Sequence, residues 1–191
     1  MFSFPSQQVK KVKKGDFLIS EPLLPDKNFS RTVILIADDT EGRHIGFVIN
    51  KIHQEFKLDD LILEYSGKER DIYIGGPVQQ DIIQVLHKNG NIQESELIKD
   101  GVFWGGDFEQ IRQSIENKEM DINECWFFIG YSGWLENQLL NELHEKSWLV
   151  LKHDVNTILS VDYTLTWKKC MHLLGEKFDF LTKFPLDPRL N

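Results

Sequence analysis

The hydrophobic and polar positions of the chain predict a series of short strands and a few amphipathic helices. Residues 32–37 (TVILIA) form an unbroken apolar, β-branched run, which is typical of a central strand buried on both faces. Apolar segments at 16–20 and 45–49 flank this run, and the polar cluster 38–42 predicts an antiparallel hairpin with the second of them. The same criteria predict shorter strands at 72–74, 82–86, 96–98, 102–104 and 148–151.

Residues 125–143 (CWFFIGYSGWLENQLLNEL) combine three different patterns. An apolar run covers 125–129, a glycine-flanked segment covers 130–134, and leucines then follow at helical spacing. This order predicts a buried strand, a tight turn at Gly130–Trp134 and a helix. Backbone amides at the start of a helix attract anions, so the turn is a candidate anion site. A plain strand-to-helix corner is the competing interpretation.

Other helices are predicted near 57–64, after Asp107 and after Asp162, with the two aspartates as N-caps and Gly175 ending the last helix. Gln110 stands at the capping-box position of the second helix. The glycine pair before Asp107 is similar to a phosphate cradle but lacks the second half of a dinucleotide fingerprint. The tail after Gly175 is predicted to pack as irregular coil.

Length and charge limit the classes of function. The 191 residues suit one domain over 15–191, preceded by a polar, partly ordered N-terminal arm over 1–14. The chain has 22 basic and 30 acidic side chains, for a net charge of −8. Nucleic-acid binders need positive charge against the phosphates, so no direct nucleic-acid binding is expected. The basic run at 10–14 is interpreted as a solvated arm.

The remaining composition indicates a cytoplasmic protein. Cys125 and Cys170 lie far apart in apolar surroundings and form no CxxC pair, so both are expected to be small buried side chains in a reducing compartment. Neither a signal-peptide pattern nor an apolar run of membrane-spanning length is present, so no membrane association is expected.

Few residues suggest catalysis. Ser132 stands between the predicted strand and helix, as a nucleophile elbow requires, but Trp134 replaces the second glycine of the GxSxG motif. Asp154 or Asp162 with His172 would complete a triad in the right chain order, and a helix-capping Ser132 is the alternative. The six histidines show no ligand spacing, and the acidic cluster at 38–41 is interpreted as a solvated hairpin tip. Accordingly, no catalytic residue, metal site or cofactor is assigned.

Three segments fall where buried strands are predicted to end, which is where ligand-binding loops gather. We expect them to converge on one concave surface that binds a ligand or a partner, whereas purely steric turns are the rival interpretation. The candidate site residues are Asn50, Gly75, Gly76, Pro77, Tyr131, Ser132, Gly133 and Trp134.

An ordered set of short segments resembles the YqgE/AlgH family of bacterial proteins. The segments are GDFLIS at 15–20, FSRTVILI at 29–36, GFVIN at 46–50, IGGPV at 74–78, GYSGW at 130–134, WLV at 148–150, Trp167 and LLG at 173–175. The resemblance implies a single α/β (α+β) domain with a strongly bent, mixed, bifurcated β-sheet that forms a pseudo-barrel flanked by helices. It also implies a cytosolic bacterial protein without a settled activity. Some members are labelled transcriptional regulators, although the family shows no recognised DNA-binding motif.

The sequence therefore predicts a non-enzymatic binding factor, regulatory or accessory, whose partner is an unknown small ligand or protein. One alternative is a small-molecule hydrolase or phosphoryl-ligand enzyme that uses the Gly130–Trp134 turn. A protein–protein adaptor is the other.

Overall fold

The computed structural model describes residues 11–61 and 70–183, which contain ten strands and six α-helices. The strands are β1 (Phe17–Ser20), β2 (Val33–Asp38), β3 (His44–Val48), β4 (Ile52–Lys57), β5 (Asp71–Ile74), β6 (Val78–His87), β7 (Ser95–Lys99), β8 (Val102–Gly105), β9 (Cys125–Trp134) and β10 (Trp148–Leu151). The helices are α1 (Leu58–Leu61), α2 (Phe108–Glu116), α3 (Gln138–His144), α4 (Val155–Leu159), α5 (Tyr163–Leu173) and α6 (Glu176–Asp179). Short 3₁₀ turns cover Thr40–Gly42, Ile122–Glu124 and Phe180–Lys183.

All ten strands belong to one sheet, which curls into a half-barrel flanked by helices, so the chain is a single α+β domain. The strand order is β10-β1-β2-β3-β9-β6-β8-β7, with antiparallel neighbours throughout. The pair β4–β5 lies off this path and joins it through β5, which pairs with β9 in parallel. Strand β9 thus has three partners and is the centre of the fold.

The alternation of side chains along the strands builds the core on both faces of the sheet. In β2, Val33 and Leu35 belong to an inner cluster with Phe47, Phe128 and Trp167 of α5. The intervening β2 side chains join a second cluster, which α3 covers. A third cluster joins α2 to the first half of β9. Strand β2 is therefore covered on both faces, as its unbroken apolar sequence predicts.

Most of the predicted elements are confirmed. Strands β2 and β3 form an antiparallel hairpin in which Ile34 lies opposite Val48. Asp107 accepts a hydrogen bond from the amide of Gln110 at 3.0 Å, and Asp162 caps α5 through the amide of Thr164 at 2.8 Å. Residues 1–10, 62–69 and 184–191 lie outside the described residues, and with them most of the predicted arm, the end of the helix near 57–64 and the end of the tail.

The predicted turn at Gly130–Trp134 is wrong, because β9 runs unbroken from Cys125 to Trp134 and α3 begins only at Gln138. Residues 131–134 keep their extended backbone because Tyr131 pairs with Val78 of β6 and residues 132–134 pair with β3. Hydrogen bonds to two neighbouring strands outweigh the local turn preference of the glycines.

Three smaller predictions also fail. Strand β4 was not predicted, because Ile52–Lys57 is polar and pairs only with β5. The side chain of Gln110 accepts from the amide of Gln93 at 3.0 Å instead of closing a capping box. The tail after Gly175 continues as α6 and a 3₁₀ turn, since Phe178 and Leu181 are buried in the inner cluster.

A buried histidine gives the fold a pH dependence. His87 is fully buried, its Nε2 lies 3.0 Å from the carbonyl oxygen of Gly105, and its Nδ1 accepts from the amide of Asn89. Burial lowers the pKa of His87 below its ordinary value of 6.5. Below the pKa of the unfolded state, the unfolded chain takes up a proton at His87 that the folded chain does not bind. The free energy of unfolding therefore has its full value above this pKa and decreases as the pH drops below it.

We expect the unfolding free energy of the wild type to fall between pH 7 and pH 5 more steeply than that of a His87→Gln variant. Each unit by which the pKa is lowered is worth about 1.4 kcal/mol across the full titration. Urea unfolding at a series of pH values measures the difference. His144 is exposed and forms no ion pair among the described residues, so His144→Gln serves as the control and should keep the wild-type slope. Equal slopes for the wild type and His87→Gln would contradict the assignment.

Candidate functional site

The sheet divides at Gly130. Before it, Phe127 to Ile129 pair with β5, and after it, Ser132 to Trp134 pair with β3, while β6 stays on the opposite side of β9. We call this point, formed by Gly75, Gly76, Gly130 and Ser132, the sheet fork. Gly130 has a φ of +67°, which permits the change of partner.

The sheet fork brings backbone atoms closer than side chains permit. A Cβ on Gly75 would lie 2.2 Å from the carbonyl oxygen of Gly130, and a Cβ on Gly76 would lie 2.3 Å from the carbonyl of Tyr131. The carbonyl of Gly75 accepts from the amide of Val48 at 3.0 Å and from the hydroxyl of Ser132 at 3.1 Å. These predicted site residues do converge, but they converge inside the sheet, where Gly75, Gly76 and Ser132 are all buried.

Asn50 lies beside the sheet fork and acts on β2. Its Oδ1 accepts from the amide of Val33 at 2.8 Å, and its Nδ2 donates to the carbonyl of Arg31 at 2.9 Å. The carboxamide oxygen thus takes the place of the backbone carbonyl that would bind the Val33 amide if β3 continued beyond Val48. Pro77, the remaining residue of the glycine segment, is exposed just before β6.

We expect Asn50→Ala to lower the unfolding free energy by about 1–3 kcal/mol, because it removes the two hydrogen bonds between the carboxamide and the backbone of Val33 and Arg31. Denaturant unfolding measures this loss. Asn141→Ala, on the exposed face of α3, is the control and should stay within about 0.5 kcal/mol of wild type. A similarly small change for Asn50→Ala would contradict the structural role and restore the amide as a candidate ligand contact.

Ser132 is not a nucleophile elbow. It lies within β9, is 1% exposed and donates its hydroxyl to Gly75. No helix begins at this point, because the backbone continues as strand, so the predicted anion site at a helix N-terminus is absent here.

Burial raises the pKa of both Cys125 and Cys170 to about 12, so neither thiol ionises at neutral pH. No cluster of three or more metal-ligating side chains occurs in the part of the chain that the structure describes.

The remaining predicted residues, Tyr131, Gly133 and Trp134, line a groove of about 590 Å³. We call it the hairpin groove, since it lies between the second half of β9 and the tip of the β2–β3 hairpin. Ile45 is paired directly with Gly133, and Val78 with Tyr131, so the floor is built by three neighbouring strands. A Cβ at Gly133 would lie 3.3 Å from Cε2 of Tyr131. The depression therefore exists because position 133 has no side chain.

The walls of the hairpin groove combine aromatic and polar groups. Trp134 is held by a hydrogen bond from its indole nitrogen to Glu142 at 2.9 Å, and the same carboxylate oxygen accepts from Trp148 at 2.7 Å. His44 pairs with Trp134 across the ladder, and its Nδ1 is buried without a hydrogen-bond partner in the described part of the chain. The remaining lining residues are Asp38, Thr40, Glu41, Arg43 and Leu135.

Sequence reasoning missed the half of the hairpin groove that comes from β3, β6 and the hairpin tip. Ile45 and Gly133 are far apart in the chain and meet only because β3 and β9 pair. The one local signal was the acidic cluster at 38–41, which does form the hairpin tip, with Thr40 and Glu41 exposed and Asp38 and Asp39 half-buried.

Every helix in residues 11–61 and 70–183 is too short or too polar to span a bilayer.

Comparison with known proteins identifies the family. The model of the AlgH-like family matches residues 17–179. A UPF0301 protein from Cytophaga hutchinsonii is 34% identical over 93% of this chain and 98% of its own length. Another from Bacteroides thetaiotaomicron is 36% identical over 93% of this chain and 91% of its own length.

Solved structures agree in fold. The solution structure of the AlgH protein from Pseudomonas aeruginosa matches with a TM-score of 0.70 and 26% identity over 94% of this chain and 98% of that chain. A crystal structure from Corynebacterium diphtheriae matches with a TM-score of 0.77 over 93% and 95% of the two chains, and at 18% identity it supports the fold alone. The resemblance noted from the sequence is confirmed, and the chain belongs to the AlgH-like, UPF0301 family.

Proposed function

We propose that this protein is a non-enzymatic binding factor, regulatory or accessory, that acts in the cytoplasm through the hairpin groove. One observation carries the proposal: the candidate nucleophile Ser132 is enclosed in the sheet, whereas its neighbours Tyr131 and Gly133 open onto a groove of about 590 Å³. That volume falls in the range of small-molecule and peptide side-chain sites.

The chemistry of the groove favours binding over catalysis. Its floor is apolar or aromatic, as in most ligand sites, and polar groups stand at one rim. Acyl transfer needs a nucleophile within hydrogen-bond reach of a base, and the hydroxyl of Ser132 is committed to the Gly75 carbonyl instead. The hydrolase alternative therefore has no support at the position where the sequence placed it.

Binding can be located by nuclear magnetic resonance on ¹⁵N-labelled protein with indole and p-cresol as probes. We expect the largest shift changes at the amides of Ile45, Val78 and Gly133. Changes confined to the neighbourhood of Phe56 and Ile82, which flank another apolar cavity of about 510 Å³, would place binding elsewhere and contradict the proposal.

Hydrolysis is tested separately with p-nitrophenyl acetate. The wild type and Ser132→Ala should show the same slow background release of p-nitrophenol. A rate that depends on Ser132 would overturn the non-enzymatic assignment, whatever the groove binds.

We also expect no sequence-specific DNA binding at physiological salt, because the net charge of −8 opposes the phosphates. Fluorescence anisotropy with labelled duplexes of several sequences measures this. Nanomolar binding that depends on the duplex sequence would show that the regulator label of some family members reflects direct DNA contact here as well.

A further inference from the structure

An excess of negative charge lies where the hairpin groove meets an adjoining groove, since Asp38 and Glu41 line the first and Asp39 and Glu136 line the second. Asp38, Asp39 and Glu41 stand on the hairpin tip, and Glu136 comes from the segment that leads into α3. A Cβ at Gly42 would lie 3.2 Å from Cγ of Glu136, so the two segments touch. We call these four carboxylates the acidic rim.

Among residues 11–61 and 70–183, none of the carboxylates of the acidic rim takes part in an ion pair. Asp38 accepts a hydrogen bond from Thr40 at 2.6 Å, which leaves its charge in place. The bases nearby are Arg43 at the rim and Lys11 in an adjoining groove of about 390 Å³. Carboxylates thus outnumber the bases along this edge.

Apolar surface accompanies this charge. Leu135 is 70% exposed and lines the hairpin groove, and Leu140 is 45% exposed and lines the adjoining groove. Large apolar side chains that border a concave site and are framed by charges are typical of protein-interaction surfaces. His44 lines both grooves, so the two form one continuous face.

We propose that this face docks a segment of a partner protein in which apolar side chains are flanked by lysine or arginine. The inference rests on the proposed function and specifies its ligand. The apolar side chains enter the hairpin groove between Tyr131 and Ile45, and the basic side chains meet the acidic rim. Each exposed ion pair of this kind should increase the affinity about two- to five-fold, which corresponds to the upper half of the range measured for exposed ion pairs. Phosphate-bearing partners, nucleic acids and anionic membranes alike, are repelled by the same charges.

The experiment uses three pools of fluorescein-labelled decapeptides, each with two central apolar residues and with lysine and arginine, glutamine, or aspartate and glutamate as flanks. We expect the full-length protein to bind the basic pool at least about ten-fold more tightly than the acidic pool at 50 mM salt, from several such pairs acting together. The difference should shrink at 500 mM salt, because exposed charges are screened. A labelled oligothymidylate should not bind.

Charge variants locate the effect. Glu41→Lys with Glu136→Lys should remove the preference for the basic pool, and Arg43→Gln should increase it. A double variant of equal charge change, Glu119→Lys with Glu176→Lys, lies outside both grooves and should retain it. Arg43→Gln keeps the test decisive even if the rim double variant folds poorly.

The results separate the two proposals. Equal affinity for the three pools, an unchanged preference in the rim double variant, or binding of the oligothymidylate would each overturn the basic-partner inference. If indole still maps to the hairpin groove in that case, the proposed binding function stands. If neither indole nor any pool binds there, both proposals fail together.

Discussion

Gly75→Ala should lower the unfolding free energy by about 3 kcal/mol or more. The added Cβ would lie 2.2 Å from the carbonyl oxygen of Gly130 and 3.1 Å from Cβ of Phe128, and both neighbours belong to the central strand. Backbone has no rotamer with which to move aside, so β5 and β9 must separate or the sheet fork must distort. Costs of this size come from a small set of mechanisms, of which overpacking of a rigid core is one. Urea denaturation monitored by circular dichroism gives the value.

Gly133→Ala is the matched control for this substitution. Its new Cβ meets only the ring of Tyr131, at 3.3 Å, and Gly133 is exposed. We expect a change within about 1 kcal/mol of wild type. A loss at Gly75 no larger than the loss at Gly133 would mean that the sheet fork tolerates a side chain and that Gly75 serves another purpose.

Phe128→Ala should cost about 3–5 kcal/mol, the usual penalty for a fully buried phenylalanine. The ring is 0% exposed and lies in the inner cluster, with centroid distances of 5.0 Å to Phe47 and 5.4 Å to Tyr73. Because β9 pairs with three strands, the cavity would open where the two branches of the sheet meet. Thermal and urea unfolding report the loss.

Phe56→Ala removes a ring of the same size from β4, where it is 42% exposed. It should cost clearly less, about 1–2 kcal/mol, since 42% of its surface stays in water after folding. A denaturation midpoint for Phe128→Ala as close to wild type as that of Phe56→Ala would show that β9 is peripheral.

The sequence predicted those parts of the fold that depend on local pattern. The β2–β3 hairpin follows from one apolar run, a polar turn and a second run, and Asp107 and Asp162 cap their helices as single side chains can. Strand β4 was not predicted because this edge strand is mostly polar and shows no clear alternation of apolar and polar residues. The bent, bifurcated sheet was expected only from the family resemblance, because pairing between distant segments leaves no local signal.

The candidate site shows the same division. The structure places Asn50 beside Gly75, Gly76 and Ser132, and backbone contacts at the sheet fork explain these residue types. A glycine that admits a neighbouring carbonyl and a glycine that admits a ligand look identical in a sequence. In our proposal Gly133 is a glycine that admits a ligand, whereas Gly75 admits a neighbouring carbonyl. This difference becomes visible only once β3 is known to pair with β9.

Binding in the hairpin groove and binding at the sheet fork can be separated by two adjacent substitutions in β9. The measurement is the indole binding isotherm, followed by the amide shifts of Ile45 and Val78, for wild type, Ser132→Ala and Gly133→Leu. If binding occurs in the hairpin groove, Ser132→Ala keeps wild-type binding and Gly133→Leu loses it, because the leucine side chain fills the groove while both proteins stay folded. Loss of binding in Ser132→Ala, with binding retained in Gly133→Leu, would contradict binding in the hairpin groove.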